Sequence, residues 1–128
     1  MAFAETKPTT ILTVPLVIEK IYKKQIQPML EDPSKSWVFT IPGLNSVIHS
    51  QIRSKLLTAF GGEVTEVIMG GAPLNAEVEN FFKKIEFPFT IGYGMTECAP
   101  LISHMPHEEF KLHSCGRVLE GLVEAHIA

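Results

Sequence analysis

The sequence predicts an α/β fold: a parallel sheet with helices packed on it. Strand-like and helix-like stretches alternate along the chain, and glycine-rich turns follow two of the strands, at Gly70-Gly71-Ala72-Pro73 and at Gly92-Tyr93-Gly94. That order belongs to sheets whose strands are joined by helices and whose ligands gather at the carboxyl ends of the strands. The 128 residues, 45% of them hydrophobic and 20% charged, suffice for one packed core.

Each element has a local cause. The β-branched run from Lys7 to Val14 reads as a short strand closed by Pro15, which can equally open the next helix, where its missing N–H costs nothing. From Leu16 to Gln27, Val17, Ile18, Ile21, Tyr22 and Ile26 recur at helical spacing between lysines; the helix is expected to stop before Pro28. The stretch from Met29 to Gly43, with two prolines and Trp37, reads either as a surface connection or as the remnant of a longer helical region. Asn45 or Ser46 is expected to cap a helix with the stripe Ile48, Ile52, Leu56 and Phe60, stopped by Gly61-Gly62. Val64 to Met69 reads as a buried strand. Asn75 then caps a helix with Glu77 and Glu79 in its first turn, Lys83 and Lys84 in its last, and Val78, Phe81, Phe82 and Ile85 as its apolar stripe. Phe87 to Ile91 is the next strand, and Leu122 to Ile127 alternates like a half-buried one.

A net charge of −3 with scattered lysines offers neither a stripe for nucleic acid nor a polybasic membrane patch. The amino terminus lacks the pattern of a signal peptide, and no apolar run approaches the ~20 residues that span a bilayer. A cytoplasmic location is expected. The only cysteines, Cys98 and Cys115, are read as reduced, and His104, His107 and His113 as loop histidines without zinc-site spacing.

The chemistry concentrates in Gly92-Tyr93-Gly94-Met95-Thr96-Glu97. Glycines allow a backbone to approach a ligand or take positive φ, and a tyrosine offers a flat apolar face. A threonine hydroxyl can bond an oxyanion, and a glutamate can hold a hard cation. The set describes a place for a nucleotide with Mg²⁺. Both glycine loops follow strands, so neighbouring parallel strands would bring them to one edge. A plainer account remains open: a strand-to-helix turn, a core aromatic, and a helix start with an acid in its first turn.

These two segments, in this order and spacing, closely resemble the AMP-forming acyl-CoA synthetases of the adenylate-forming superfamily. A looser echo is Ser114-Cys115-Gly116-Arg117-Val118-Leu119-Glu120-Gly121, and Thr9 to Lys24 is similar to a segment common among long-chain fatty acid–CoA ligases. The resemblance implies that residues 1–128 are an internal piece of that family's large N-terminal domain, with no complete second domain. It implies a ligase that activates a carboxylic acid with ATP and Mg²⁺, then passes the acyl group to coenzyme A. By the same resemblance Gly71, Ala72 and Pro73 lie along one face of the adenine and Tyr93 covers the other. Thr96 contacts phosphate, Glu97 holds Mg²⁺, and Gly92, Gly94 and Met95 border the adenylate. The chain departs from the family at Ile91, where a polar residue often stands near the base, and at Glu120, where proline is common.

The sequence contains no phosphate loop ending in Pro-Lys, no Thr-Gly-Asp segment for the ribose and no domain with a catalytic lysine. By that reckoning the segment by itself is inactive. The competing reading is a stand-alone, non-catalytic nucleotide-binding or interaction module derived from the same fold. An open sheet edge at the last predicted strand would favour self-association.

Overall fold

A computed structural model describes residues 3–31, 44–98 and 100–126. Trp37 and the rest of the uncertain connection lie outside them. After a single helical turn, α1 (Phe3–Thr6), the chain enters β1 (Thr10–Thr13), then α2 (Pro15–Ile21), a π-helical stretch (Tyr22–Ile26) and α3 (Gln27–Glu31). There follow α4 (Leu44–Ala59), β2 (Glu66–Met69), α5 (Ala76–Lys84), β3 (Phe89–Ile91) and the short pair β4 (Ser103–His104) and β5 (Arg117–Val118). The sheet runs β1-β2-β3, parallel throughout. The α/β architecture read from the sequence is the one observed. β4 and β5 pair separately and antiparallel.

The helices cover one face of the sheet. On that face Ile11, Val67 and Phe89 are register partners, as are Met69 and Ile91. They join a single core with Ile18, Tyr22 and Ile26 from the first helical run, Ile52, Leu56 and Phe60 at α4, and Val78, Phe82 and Ile85 at α5. Val67 and Met69 are completely buried, each stabilising the fold by about 1.5–3 kcal/mol. Edge-on aromatic contacts knit the layers: Tyr22 and Phe81 have ring centroids 5.3 Å apart, and Phe82 and Phe89 are 5.8 Å apart. The Tyr22 hydroxyl donates to Glu77, and burial together with that carboxylate raises its pKa, keeping it a donor. On the opposite face Leu12, Ile68 and Thr90 lie side by side and fare differently. Thr90 is sealed, donating to the Met105 carbonyl at 2.7 Å, whereas Leu12 stands in the open.

Several boundaries differ from expectation for physical reasons. The helical path does not stop before Pro28. In a regular α-helix the proline ring would strike the carbonyl four residues back. Here the backbone widens: the Gln27 N–H donates to the Tyr22 carbonyl, five residues back, and Pro28 falls at the second position of α3, where a missing N–H is tolerated. Helix α4 begins at Leu44, so Asn45 and Ser46 fall inside its first turn and not at the position before it. Its end is as read: Gly62 N–H reaches Leu57 O at 2.8 Å and Gly61 N–H reaches Thr58 O at 3.0 Å, both glycines at positive φ. Helix α5 closes in the same way without a glycine, with Glu86 at φ 55 and Phe87 N–H on Phe82 O.

The expected strand over Leu122–Ile127 is not formed at 122–126, and Ile127 lies outside the described residues. Gly121, at φ 79, turns the chain, and Leu122 and Val123 both donate to Leu119 O. Alternation alone does not make a strand where no neighbouring ladder receives it. Among the described residues β1 is one edge of the sheet, with Leu12, Val14, Leu16 and Val17 exposed beside it.

Candidate functional site

Register sets the site. Thr13, Met69 and Ile91 are partners across the three strands and stand at or next to their carboxyl ends, so the following loops leave from one edge. Hydrogen bonds continue the ladder into the loops: Gly70 N–H donates to Thr13 O at 3.2 Å, and Gly92 N–H to Met69 O at 2.8 Å. The loops touch. A methyl group added at Gly70 would sit 3.3 Å from the Gly92 carbonyl, tighter than ordinary packing. Gly71 takes φ 84, which a side chain resists. Leu74 then drops into the core, and the Asn75 side chain accepts from Glu77 N–H at 2.9 Å and Val78 N–H at 3.4 Å, fixing where α5 begins.

Between the loops lies a cavity of about 350 Å³ lined by Gly71, Ala72, Pro73, Ile91, Gly92, Tyr93, Gly94 and Cys115. That volume falls within the range of roughly 300–1,000 Å³ usual for small-molecule clefts. Tyr93 is pinned by its backbone, donating to Ser103 O at 3.0 Å and accepting from Ile102 and Ser103. Its side chain is half exposed at the cavity. A core aromatic would be buried, so the plainer account fails for this residue. Gly94 is required by the fold itself: any side chain there would collide with the Pro100 carbonyl.

The structure thus brings together Gly71, Ala72, Pro73, Gly92, Tyr93 and Gly94. It does not bring Met95, Thr96 or Glu97 into the lining. Met95 is exposed, and Thr96–Cys98 form one turn of 3₁₀ helix with Thr96 and Glu97 facing solvent. Among the described residues no lysine or arginine lines the cavity, so its described walls suit a flat, weakly polar group.

Two contributors escaped the sequence reading of the site. Cys115 reaches the cavity because β4 and β5 fold the chain back, pairing Ser103 with Val118 and His104 with Arg117. Its carbonyl accepts from Ser103 Oγ at 2.8 Å, and Gly116, at φ 84, packs against the His104 backbone so closely that no side chain fits. The echo at Ser114–Gly121 was the available signal. The other is Glu79, read from sequence only as a favourable charge in a first helical turn: it is buried and bonded to His113.

Among the described residues no group of three or more His, Cys, Asp or Glu could hold a metal ion. Glu97 is a single exposed carboxylate. That suits Mg²⁺ arriving with phosphates, since Mg²⁺ keeps several waters and takes one or two carboxylates beside phosphate oxygens. A larger hollow of about 500 Å³ opens at the other end of β3, by Phe87, Phe89 and Phe110. Its cations are already engaged, Arg53 with Glu86 and Lys83 with the Phe110 carbonyl.

Comparison with known proteins agrees with these features. The family model described as AMP-binding enzyme matches residues 1–128. The chain is 26% identical over 136 residues to the long-chain-fatty-acid–CoA ligase FadD15 of Mycobacterium bovis, covering 90% of this chain and 22% of that protein. It is 27% identical over 138 residues to the human long-chain-fatty-acid–CoA ligase ACSBG2, covering 91% of this chain and 21% of that one. With long chain acyl-CoA synthetase 4 of Arabidopsis thaliana the figures are 30% over 132 residues, 88% and 20%. The chain spans about a fifth of the length of these relatives.

Proposed function

The chain belongs to the AMP-binding enzyme family, and from that premise we propose that it is part of the nucleotide-binding domain of an acid–thiol ligase. That enzyme activates a carboxylic acid, a fatty acid by the similarity to long-chain ligases, with ATP to an acyl-adenylate. It then transfers the acyl group to coenzyme A. The observation that supports this best is the cavity lined by both Gly71–Pro73 and Tyr93, at the carboxyl ends of adjacent parallel strands. A purine is flat and fits between a backbone wall and an aromatic face.

The nucleophile in such a reaction is the substrate carboxylate, so the protein positions and neutralises rather than attacks. Gly71, Ala72, Pro73 and Tyr93 hold the base, and Ile91 leaves its edge to backbone groups. Gly92, Gly94 and Met95 border the adenylate. Thr96 donates to a phosphate oxygen. Glu97 would hold Mg²⁺, which would supply charge neutralisation at the phosphates. With no phosphate loop, ribose-binding aspartate or catalytic lysine in its sequence, this segment alone makes no thioester. Two reduced cysteines accord with work in the cytoplasm, and no described helix is long and apolar enough to cross a membrane. Self-association, if the segment stands alone, uses the β1 edge.

The test is ATP–pyrophosphate exchange by the full-length protein that carries this segment, across fatty acids of different length. Acid-dependent exchange is expected. Absence of exchange with every acid, alongside saturable ATP binding, would leave a nucleotide-binding module and end the ligase reading.

A further inference from the structure

Glu79 has no obvious reason to be charged. It sits in the first turn of α5, beside Val78 and Phe82, which enter the core, and only 3% of its side chain is exposed. An apolar side chain would fill that place without the desolvation that a carboxylate suffers. Both oxygens are committed to one residue across the loop. Oε1 accepts the His113 backbone N–H at 2.7 Å, and Oε2 lies 3.2 Å from His113 Nδ1. His113 is itself held at φ 60, a conformation that a non-glycine residue keeps only when its surroundings impose it.

What the clamp joins gives it meaning. Helix α5 issues directly from the Gly71–Pro73 wall, and its start is fixed by the Asn75 cap. Two residues after His113 comes Cys115, which lines the same cavity. Glu79 therefore links two lining segments through a rigid helix at one end and a bonded loop at the other. Ser103 and Gly116 anchor the loop from the β4–β5 side. We propose that Glu79 is a positioning residue for the nucleotide cavity, setting the distance between the Cys115 segment and the Gly71–Pro73 wall. This inference rests on the nucleotide reading of that cavity.

The test uses the full-length protein that carries this segment, with every cysteine but Cys115 changed to serine, and two measurements. Amide hydrogen exchange at residues 113–116 reports the clamp; the slowing of Cys115 labelling by dithionitrobenzoate as ATP is added reports the cavity. With Glu79 present, ATP protects Cys115 saturably. In Glu79→Ala, exchange speeds up and half-protection requires roughly tenfold more ATP, the scale at which supporting contacts act on a site. Glu79→Gln, whose amide oxygen still accepts the His113 N–H, restores most of both. Should Glu79→Ala fail to fold, Glu79→Asp, one methylene short of the loop, gives the same pair of readings. Faster exchange with unchanged ATP protection would overturn the positioning role alone. No ATP protection with Glu79 intact would withdraw the nucleotide reading, and this inference with it.

Discussion

Gly71–Pro73 and Gly92–Gly94 are fixed by backbone ladder bonds, a capped helix and steric contact between the two loops, while Met95–Glu97, the next three residues, stand on an exposed turn outside the cavity. The first region is made of groups whose positions follow from the sheet. The second holds the hydroxyl and the carboxylate, and nothing among the described residues presses them into one arrangement. The difference teaches that backbone pairing in the sheet suffices to fix the glycine loops, whereas side chains on an exposed turn are held only by opposing groups. Among the described residues none such lines this cavity.

Breaking the fixed region should cost the most. Gly94→Ala drives a methyl group into the Pro100 carbonyl and is expected to destabilise the chain by about 3 kcal/mol, read as a lowered thermal midpoint. Gly121→Ala, with nothing nearby and only positive φ to resist it, should cost about 1 kcal/mol. Equal losses at the two positions would show that the collision at Gly94 is easily relieved. In the exposed region the effects change kind. Glu97→Gln should leave stability within about 0.5 kcal/mol, because the side chain is exposed. In the full-length protein that carries this segment it should slow pyrophosphate exchange by roughly 10- to 100-fold if that protein is the ligase proposed above and the carboxylate a metal ligand. Unaltered exchange would remove Glu97 from that role.

Smaller effects sharpen the same contrast. Tyr93→Ala should weaken ATP binding by about 1–2 kcal/mol, the scale of base stacking on an aromatic, with little change in melting. A titration showing undiminished affinity would mean that the base does not lie on this ring. Asn75→Ala removes the cap that places the Gly71–Pro73 wall and should cost about 1 kcal/mol in stability. At the β1 edge, Leu12→Lys should abolish any concentration-dependent association without lowering stability, since Leu12 is 79% exposed. Association that persists unchanged in sedimentation would place the contact elsewhere.

Local rules written in consecutive residues determined much of this molecule. The stripes Ile52-Leu56-Phe60 and Val78-Phe82-Ile85, the Asn75 cap and the Gly61-Gly62 stop are matters of period and backbone freedom, and they appear where the sequence puts them. So do the parallel order of the strands and the meeting of two glycine loops at one edge. Tertiary structure decided what depends on partners distant in sequence. It carried the helical path through Pro28 by widening one stretch, and it ended α5 at Glu86 without a glycine. It denied Val123 and Ala125 a strand, because no ladder receives them among the described residues. It also folded Cys115 back to the cavity and buried Glu79 beneath His113. Periodicity reports which face of an element is apolar; only the packed chain fixes which distant group fills the opposite side.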